Sequence, residues 1–246
     1  MQNKAVYLWV LNKSINEMKM KTIITFLLAL SSFATHAQML NGTVKYKTTF
    51  KINWHSICQG DPSCIARMEN MPNSSISFWN LDFNKQESLY TKIDSIADVE
   101  SVNKLLELGM GPGDFDPNQT VYIDNINKSV HMFNPYFNFY VTDTLKASDI
   151  KIGSEYKDIL GYQCLKATIG HSCVLWFSPE IPLPYGPYEH YGLPGMILEI
   201  SCNAQGVNSV ISAYDLKLNN FKEINKPKGK YITKVEYDKI IEDMQQ

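Results

Sequence analysis

Short runs of alternating apolar and polar residues, parted by turn formers, constrain this chain more than any other feature. In Gly42–Ile52, Val44, Tyr46 and Thr48 alternate with polar neighbours. Ser75–Phe83 alternates again from Ile76 to Leu81, and Glu87–Lys92 is a third short run. A period of two marks a half-buried strand. Further candidates are Gln119–Asp124, Ser129–Phe133, Asn138–Asp143, Gln163–Ile169, Val174–Phe177, Gly195–Cys202 and Val207–Leu218. Asp124-Asn125, Gly153, Gly161, Gly170 and Asn203–Gly206 divide them. Parallel strands need long helical crossovers, and this spacing leaves no room for them. The pattern predicts a mainly β fold: a single antiparallel sheet curled into a half-open barrel. A small helical insertion is expected at residues 94–108, where Ile96, Val99, Val102 and Leu106 keep helical spacing behind Asp94 or Ser95 as cap. Gly109–Gly113 then breaks regular structure. Short helical stretches are also expected within Cys58–Met71 and Thr233–Met244.

The start of the chain carries an export signal. Basic Met18–Lys21 precedes apolar Thr22–Leu30, and Thr35-His36-Ala37 supplies small residues before Gln38. That order is a cleavable secretory signal. A membrane-spanning helix needs about 20 apolar residues, and this run is shorter. The expected division is 1–37 as N-terminal extension plus signal, with Met18 or Met20 as initiator, and 38–246 as one β-rich domain. No transmembrane segment is expected after cleavage. The expected location is the periplasm or cell envelope, with secretion beyond it left open.

Export changes the reading of the cysteines, because disulfides persist in oxidising compartments. Cys58 and Cys64 close a short loop over Gly60-Asp61-Pro62, and Cys173 and Cys202 sit on segments able to pair as antiparallel strands. Cys164 is left over as a buried strand thiol. Metal-ligand spacing is missing among the cysteines and among His55, His131, His171 and His190, so no metal is expected.

Charge narrows the partners. The chain has net charge −2, and losing Lys4, Lys13, Lys19, Lys21 and Glu17 with the signal leaves the remainder more acidic. Arg67 is the single arginine. Phosphate binding needs clustered basic residues, so nucleic acid is not an expected partner. Gly113–Asn118 opens like a calcium loop, but Gln119 stands where Gly is needed and Asn125 where Glu belongs. No nucleophile elbow, P-loop, zinc-protease motif or dinucleotide glycine pattern occurs, so no catalytic residue and no cofactor is expected. Asp82 and Glu199 are acids on strands, and only the fold can place them.

The unusual segment is Trp176–Ile200. Five of the chain's 11 prolines fall between Pro179 and Pro194. Proline fixes φ and lacks an amide donor, which excludes a central strand. Tyr185, Tyr188 and Tyr191, with Trp176, could form an aromatic lip for a lipid, a peptide or a partner. The favoured reading is a stiff crossover covering one end of a barrel or sheet. Pro179, Glu180, Pro182, Gly192, Leu193, Pro194 and Gly195 are expected to be structural.

Those residues resemble a known family. Gly192-Leu193-Pro194-Gly195-Met196-Ile197 differs by one conservative residue from the motif that names the GLPGLI family. Leu160–Ala167 resembles its LGYxCxKA segment, Trp176–Pro182 its W-[YF]-[ST]-P-E-I-P segment, and Gly186-Pro187-Tyr188 its G-P-[YW] step. The resemblance implies an exported protein of Bacteroidetes-type bacteria with no assigned activity and no catalytic residues to carry over. The pattern is also similar to the half-open barrels of periplasmic lipoprotein carriers. The expected function is non-enzymatic binding of an apolar or peptide ligand in the cell envelope. The alternatives are an accessory that contacts an outer-membrane transporter and a hydrolase using two facing carboxylates.

Overall fold

A computed structural model describes residues 40–93 apart from 70 and 72, residues 120–146, residues 149–220 apart from 205, and residues 222–244. The expected export signal and the expected insertion at 94–108 lie outside the described residues, as does most of the calcium-like loop.

The described chain forms one twelve-stranded sheet. Its strands are β1 (Gly42–Ile52), β2 (Ser74–Phe83), β3 (Glu87–Ile93), β4 (Thr120–Asp124), β5 (Ser129–Asn134), β6 (Phe139–Thr144), β7 (Ile150–Ile159), β8 (Tyr162–Ile169), β9 (Cys173–Ser178), β10 (Met196–Ala204), β11 (Val207–Leu218) and β12 (Tyr231–Thr233). Their order is β12-β6-β5-β4-β3-β2-β1-β11-β10-β9-β8-β7. The sheet is open, with β12 and β7 as edges, so the expected half-open form holds and no barrel closes. Every pairing is antiparallel except β12 with β6, which is parallel and covers three residues. Three helices complete the described fold: α1 (Trp54–Ile57), α2 (Pro62–Met68) and α3 (Lys234–Met244).

Alternation decides the two faces. Val44, Tyr46, Thr48, Phe50 and Ile52 turn to the inner face of β1, and Trp79, Leu81 and Phe83 do the same on β2. Thr43 and Asp82 meet on the outer face, where the Thr43 hydroxyl donates to Asp82 Oδ1 at 2.6 Å. One buried cluster joins Val44, Tyr46, Trp79 and Tyr90 with Leu175, Phe177 and Ile197 across the sheet.

Local chemistry sets the turns and caps. Asp124 Oδ1 accepts from the amides of Ile126 and Asn127, and Asn134 Oδ1 from those of Tyr136 and Phe137. These Asx turns bend the β4–β5 and β5–β6 hairpins, which end in left-handed Lys128 and Asn138. Leu160 and Gly161, both with positive φ, make the tight β7–β8 turn. Asp61 caps α2 through the Ser63 amide, with Pro62 at the first helical position. Thr233 and Glu236 bond reciprocally at the start of α3, a capping box.

Both expected disulfide pairs are formed. Cys58–Cys64 ties the end of α1 to α2, and Cys173–Cys202 joins directly opposed residues of β9 and β10. The fifth cysteine, Cys164, is buried in the main cluster, and burial pushes its thiol up to about 11.

Candidate functional site

The Pro/Tyr segment lies across the inner face of the sheet. Ile181, Leu183, Tyr185, Tyr188 and Leu193 are all buried in the main cluster. The Tyr188 ring sits 5.5 Å from Trp79 on β2 and 4.9 Å from Tyr90 on β3, beside the stacked Trp79–Tyr90 pair. Its backbone bonds run back into β10: Ile181 O accepts from Met196 N, and Tyr185 O from Ile197 N, both at 2.9 Å. Glu180 reaches out to accept from Gln163 N at 2.9 Å, which links the segment to β8. Gly195 is required by space, since a Cβ there would stand 2.2 Å from Ser178 O.

The lip reading is therefore corrected for Tyr185 and Tyr188, which are inside the fold. Large rings at these positions fill the hollow of a curled sheet, and burying them there removes more apolar surface from water than a rim would. Tyr191 is half-buried at the edge of the segment, where its hydroxyl donates to Asn125 Oδ1 at 2.6 Å and accepts from Lys128 Nζ at 3.1 Å. Trp176 lies on the outer face opposite Glu199, with Lys157 Nζ 5.7 Å above its ring. The four residues do not converge.

Side chains do converge at the other end of the sheet, around β5, β6 and α3. A hollow of about 140 Å³ on the inner side is lined by Met132, Phe133, Asn134, Val141, Lys234 and Tyr237. Phe137 and Phe139 stack at 5.3 Å beside it, and Tyr237 meets both edge-on. A second, open hollow of about 400 Å³ adjoins it, sharing Lys234. Hydroxyls of Ser129, Thr142, Thr144 and Thr233, the amide of Asn127, and charged Lys128 and Asp143 line this second one. The Lys234 ammonium bonds Asp238 one turn along α3, which holds the stem of Lys234 between the two hollows.

His131 holds two of the residues that line the polar hollow. Its Nδ1 pairs with Thr142 Oγ1 at 2.8 Å and its Nε2 with Ser129 Oγ at 3.1 Å. The ring stacks on Tyr122 and meets Tyr231 edge-on. Burial, with Lys226 adding to it against Asp124, lowers its pKa to about 4. A neutral imidazole carries one N–H, and each flanking hydroxyl can supply whichever role the facing nitrogen lacks. Asp143 is the one carboxylate lining this hollow, so the facing pair of acids that a hydrolase reading asked for is not present there.

Sequence reading missed this site because its parts lie about a hundred residues apart. The helix expected within Thr233–Met244 is there as α3, yet nothing local pairs Tyr237 with Phe137 and Phe139. His131 was expected to be surface or packed, and it is packed. Among the described residues no group of three His, Cys, Asp or Glu side chains is placed to hold a metal ion, and no helix is long and apolar enough to cross a membrane.

A family model described as a protein of unknown function (Porph_ging) matches residues 170–199. That stretch holds Trp176, the buried tyrosines and the Gly192–Ile197 motif, so the matched signature is largely the inner-face segment. The matched family does not carry the GLPGLI name. No curated protein matches the chain. Among solved structures, a domain from Vibrio parahaemolyticus described as an outer membrane lipoprotein-sorting protein aligns over 82% of this chain and 90% of its own, at 8% identity and a TM-score of 0.31. The sorting role in that description belongs to the Vibrio protein. The two disulfides fit an oxidising, extracytoplasmic setting.

Proposed function

We propose that this protein is a non-enzymatic binding protein of the cell envelope, most simply of the periplasm, whose ligand is an extended peptide anchored by one apolar side chain. The observation that carries the proposal is the pairing of an apolar hollow with a polar one at the β5–β6–α3 end. A cavity of about 150 Å³ lined by apolar side chains accepts a group the size of benzene. The inner hollow is of that order, so it suits a Leu, Met or Phe side chain rather than a whole acyl chain. The adjoining hollow offers hydroxyl-bearing side chains, two lysines and one carboxylate around its rim, the polar groups that a peptide backbone needs for orientation. The Pro/Tyr segment supports the site indirectly, by packing its rings against the inner face around Trp79 and Tyr90, away from this end.

The test is a titration of the domain with short peptides Ala-X-Ala, followed by NMR. Shifts confined to Met132, Val141 and Tyr237 should grow as X changes from Gly to Leu and Phe. Val141→Phe should abolish them while leaving the melting temperature close to wild type. A domain whose spectrum ignores every peptide in the series, or whose shifts scatter over the sheet, would rule this reading out.

A further inference from the structure

The chain between β11 and β12 is a strap with an unusual charge. Residues 222–234 contain five lysines, Lys222, Lys226, Lys228, Lys230 and Lys234, against the single acid Glu223, in a chain whose overall net charge is −2. Two of the five are engaged: Lys222 pairs with Asp82 on the outer face, and Lys234 with Asp238. Lys226, Lys228 and Lys230 are exposed, and among the described residues none of them forms an ion pair. All three fall within five residues, so their charge is concentrated on one short stretch of chain just before edge strand β12.

The strap is held in place. Its start is fixed by Lys222 on Asp82 at 2.5 Å, and buried Ile224 follows. The Tyr231 hydroxyl donates to Pro227 O, and Lys230 O accepts from Tyr140 N on β6 at 2.8 Å. Gly229 lies against the Tyr140 ring, where a Cβ would come within 2.9 Å of Cε2. The Lys226 ammonium sits 4.4 Å over the Tyr231 ring and that of Lys230 5.9 Å over Phe139.

An exposed aromatic lies three residues before Phe139, the ring beneath Lys230. Tyr136, in the turn that opens β6, is 58% exposed and directly precedes Phe137. Lysines together with an exposed tyrosine match the composition of a membrane interface, where such rings sit at headgroup depth. The absence of arginine from this patch removes the bidentate fork that picks out one fixed phosphate. Point charges on flexible stems instead suit a fluid array of anionic headgroups. Glu236 on α3, ionised and tied to Thr233 in the capping box, feels Lys230 and offsets part of its charge, which leaves Lys226 and Lys228 as the less compensated cations.

We propose that Lys226, Lys228 and Lys230, together with Tyr136, form a docking surface for a membrane rich in anionic phospholipid. The inference does not depend on what occupies the hollows near α3. The test is co-sedimentation of the full domain with phosphatidylcholine vesicles, with and without phosphatidylglycerol. Wild type should bind the mixed vesicles and leave the neutral ones. Lys226→Gln, Lys228→Gln and Lys230→Gln together should weaken binding about 100-fold, roughly fivefold for each lysine near the surface. Lys→Arg at all three positions should retain binding, and this control keeps the test decisive should the Gln variant fold poorly. Tyr136→Ser should weaken vesicle binding without changing any attraction to soluble polyphosphate. Equal binding to both vesicle types, binding that survives high salt, or binding to duplex DNA or polyphosphate without binding to vesicles would each overturn the proposal.

Discussion

Tyr46 and Tyr185 are both fully buried tyrosines, yet their hydroxyls differ in environment. That of Tyr46 donates to Ile197 O at 2.6 Å, while that of Tyr185 meets no hydrogen-bond partner among the described residues. Burial raises the pKa of each, so both stay neutral at any ordinary pH. Removing the first hydroxyl orphans a buried carbonyl, and removing the second orphans nothing. Tyr46→Phe should therefore cost about 1–2 kcal/mol, and Tyr185→Phe should be neutral or stabilising, read from urea unfolding midpoints. Gly195→Ala forces a methyl onto Ser178 O and should cost about 1–3 kcal/mol in the same assay. His131 makes stability depend on pH. Its folded pKa of about 4 lies below the ordinary 6.5, so the unfolded chain binds the proton more tightly. Its contribution is complete above about pH 6.5 and drains away as pH falls toward 4. A tenfold difference in proton affinity between the two states is worth about 1.4 kcal/mol, and solvent near the open hollow should hold the loss to about 1–2 kcal/mol. His131→Gln should flatten that part of a plot of melting temperature against pH; an unchanged slope would assign the dependence elsewhere.

Among the elements, the two disulfides do different work. Cys58–Cys64 closes a separation of 6 residues around α1 and α2, whereas Cys173–Cys202 closes 29 across β9 and β10. Loop entropy assigns them about 2 and about 3.5 kcal/mol. Replacing Cys58 and Cys64 by Ser should loosen α1 and α2 and leave the sheet's melting nearly intact, while replacing Cys173 and Cys202 should lower the main transition, as calorimetry would show. The strands visible in sequence are those whose two faces differ: Val44, Tyr46 and Thr48 on β1 are buried where Lys45 and Lys47 are not. β7 escaped notice for the opposite reason. Both its faces meet water along most of its length, Ile152 and Tyr156 are exposed at 51% and 67%, and Gly153 read as a turn, although it lies near the bulge between Ile152 and Tyr156. β12 is three residues long and pairs in parallel with a strand far upstream, so it leaves no periodic trace. The Pro/Tyr segment was legible as a break in the sheet, but not as its filling. Which side of a sheet a proline-rich segment covers depends on where Trp79 and Tyr90 stand, and those belong to strands about a hundred residues away.

For the whole molecule, the open sheet has one edge covered by α3 and β12 and the other bare at β7. The bulge and the charges Lys151, Glu155, Lys157 and Asp158 keep that bare edge from templating another strand. Hydrogen exchange should be fastest along β7 among the strands and slowest along β1 and β11; a protected β7 in the monomer would contradict the edge assignment. Overall charge concealed the lysine strap, because its cations are outnumbered by acids spread over the rest of the chain. The strand order also sets a schedule for folding. β1 through β6 is a run of neighbours, and so is β7 through β11, and among the described strands these two runs are joined by backbone pairing only where β1 meets β11. Contacts that distant in sequence form late, since the intervening loop must close first. Until β11 arrives, β1 has one side unpaired, and Val44 and Tyr46 lack the residues that will cover them. A chain that passes through a membrane unfolded, from its beginning onward, would expose β1 for the whole of its passage. Its earliest strand would then be the one most in need of a chaperone.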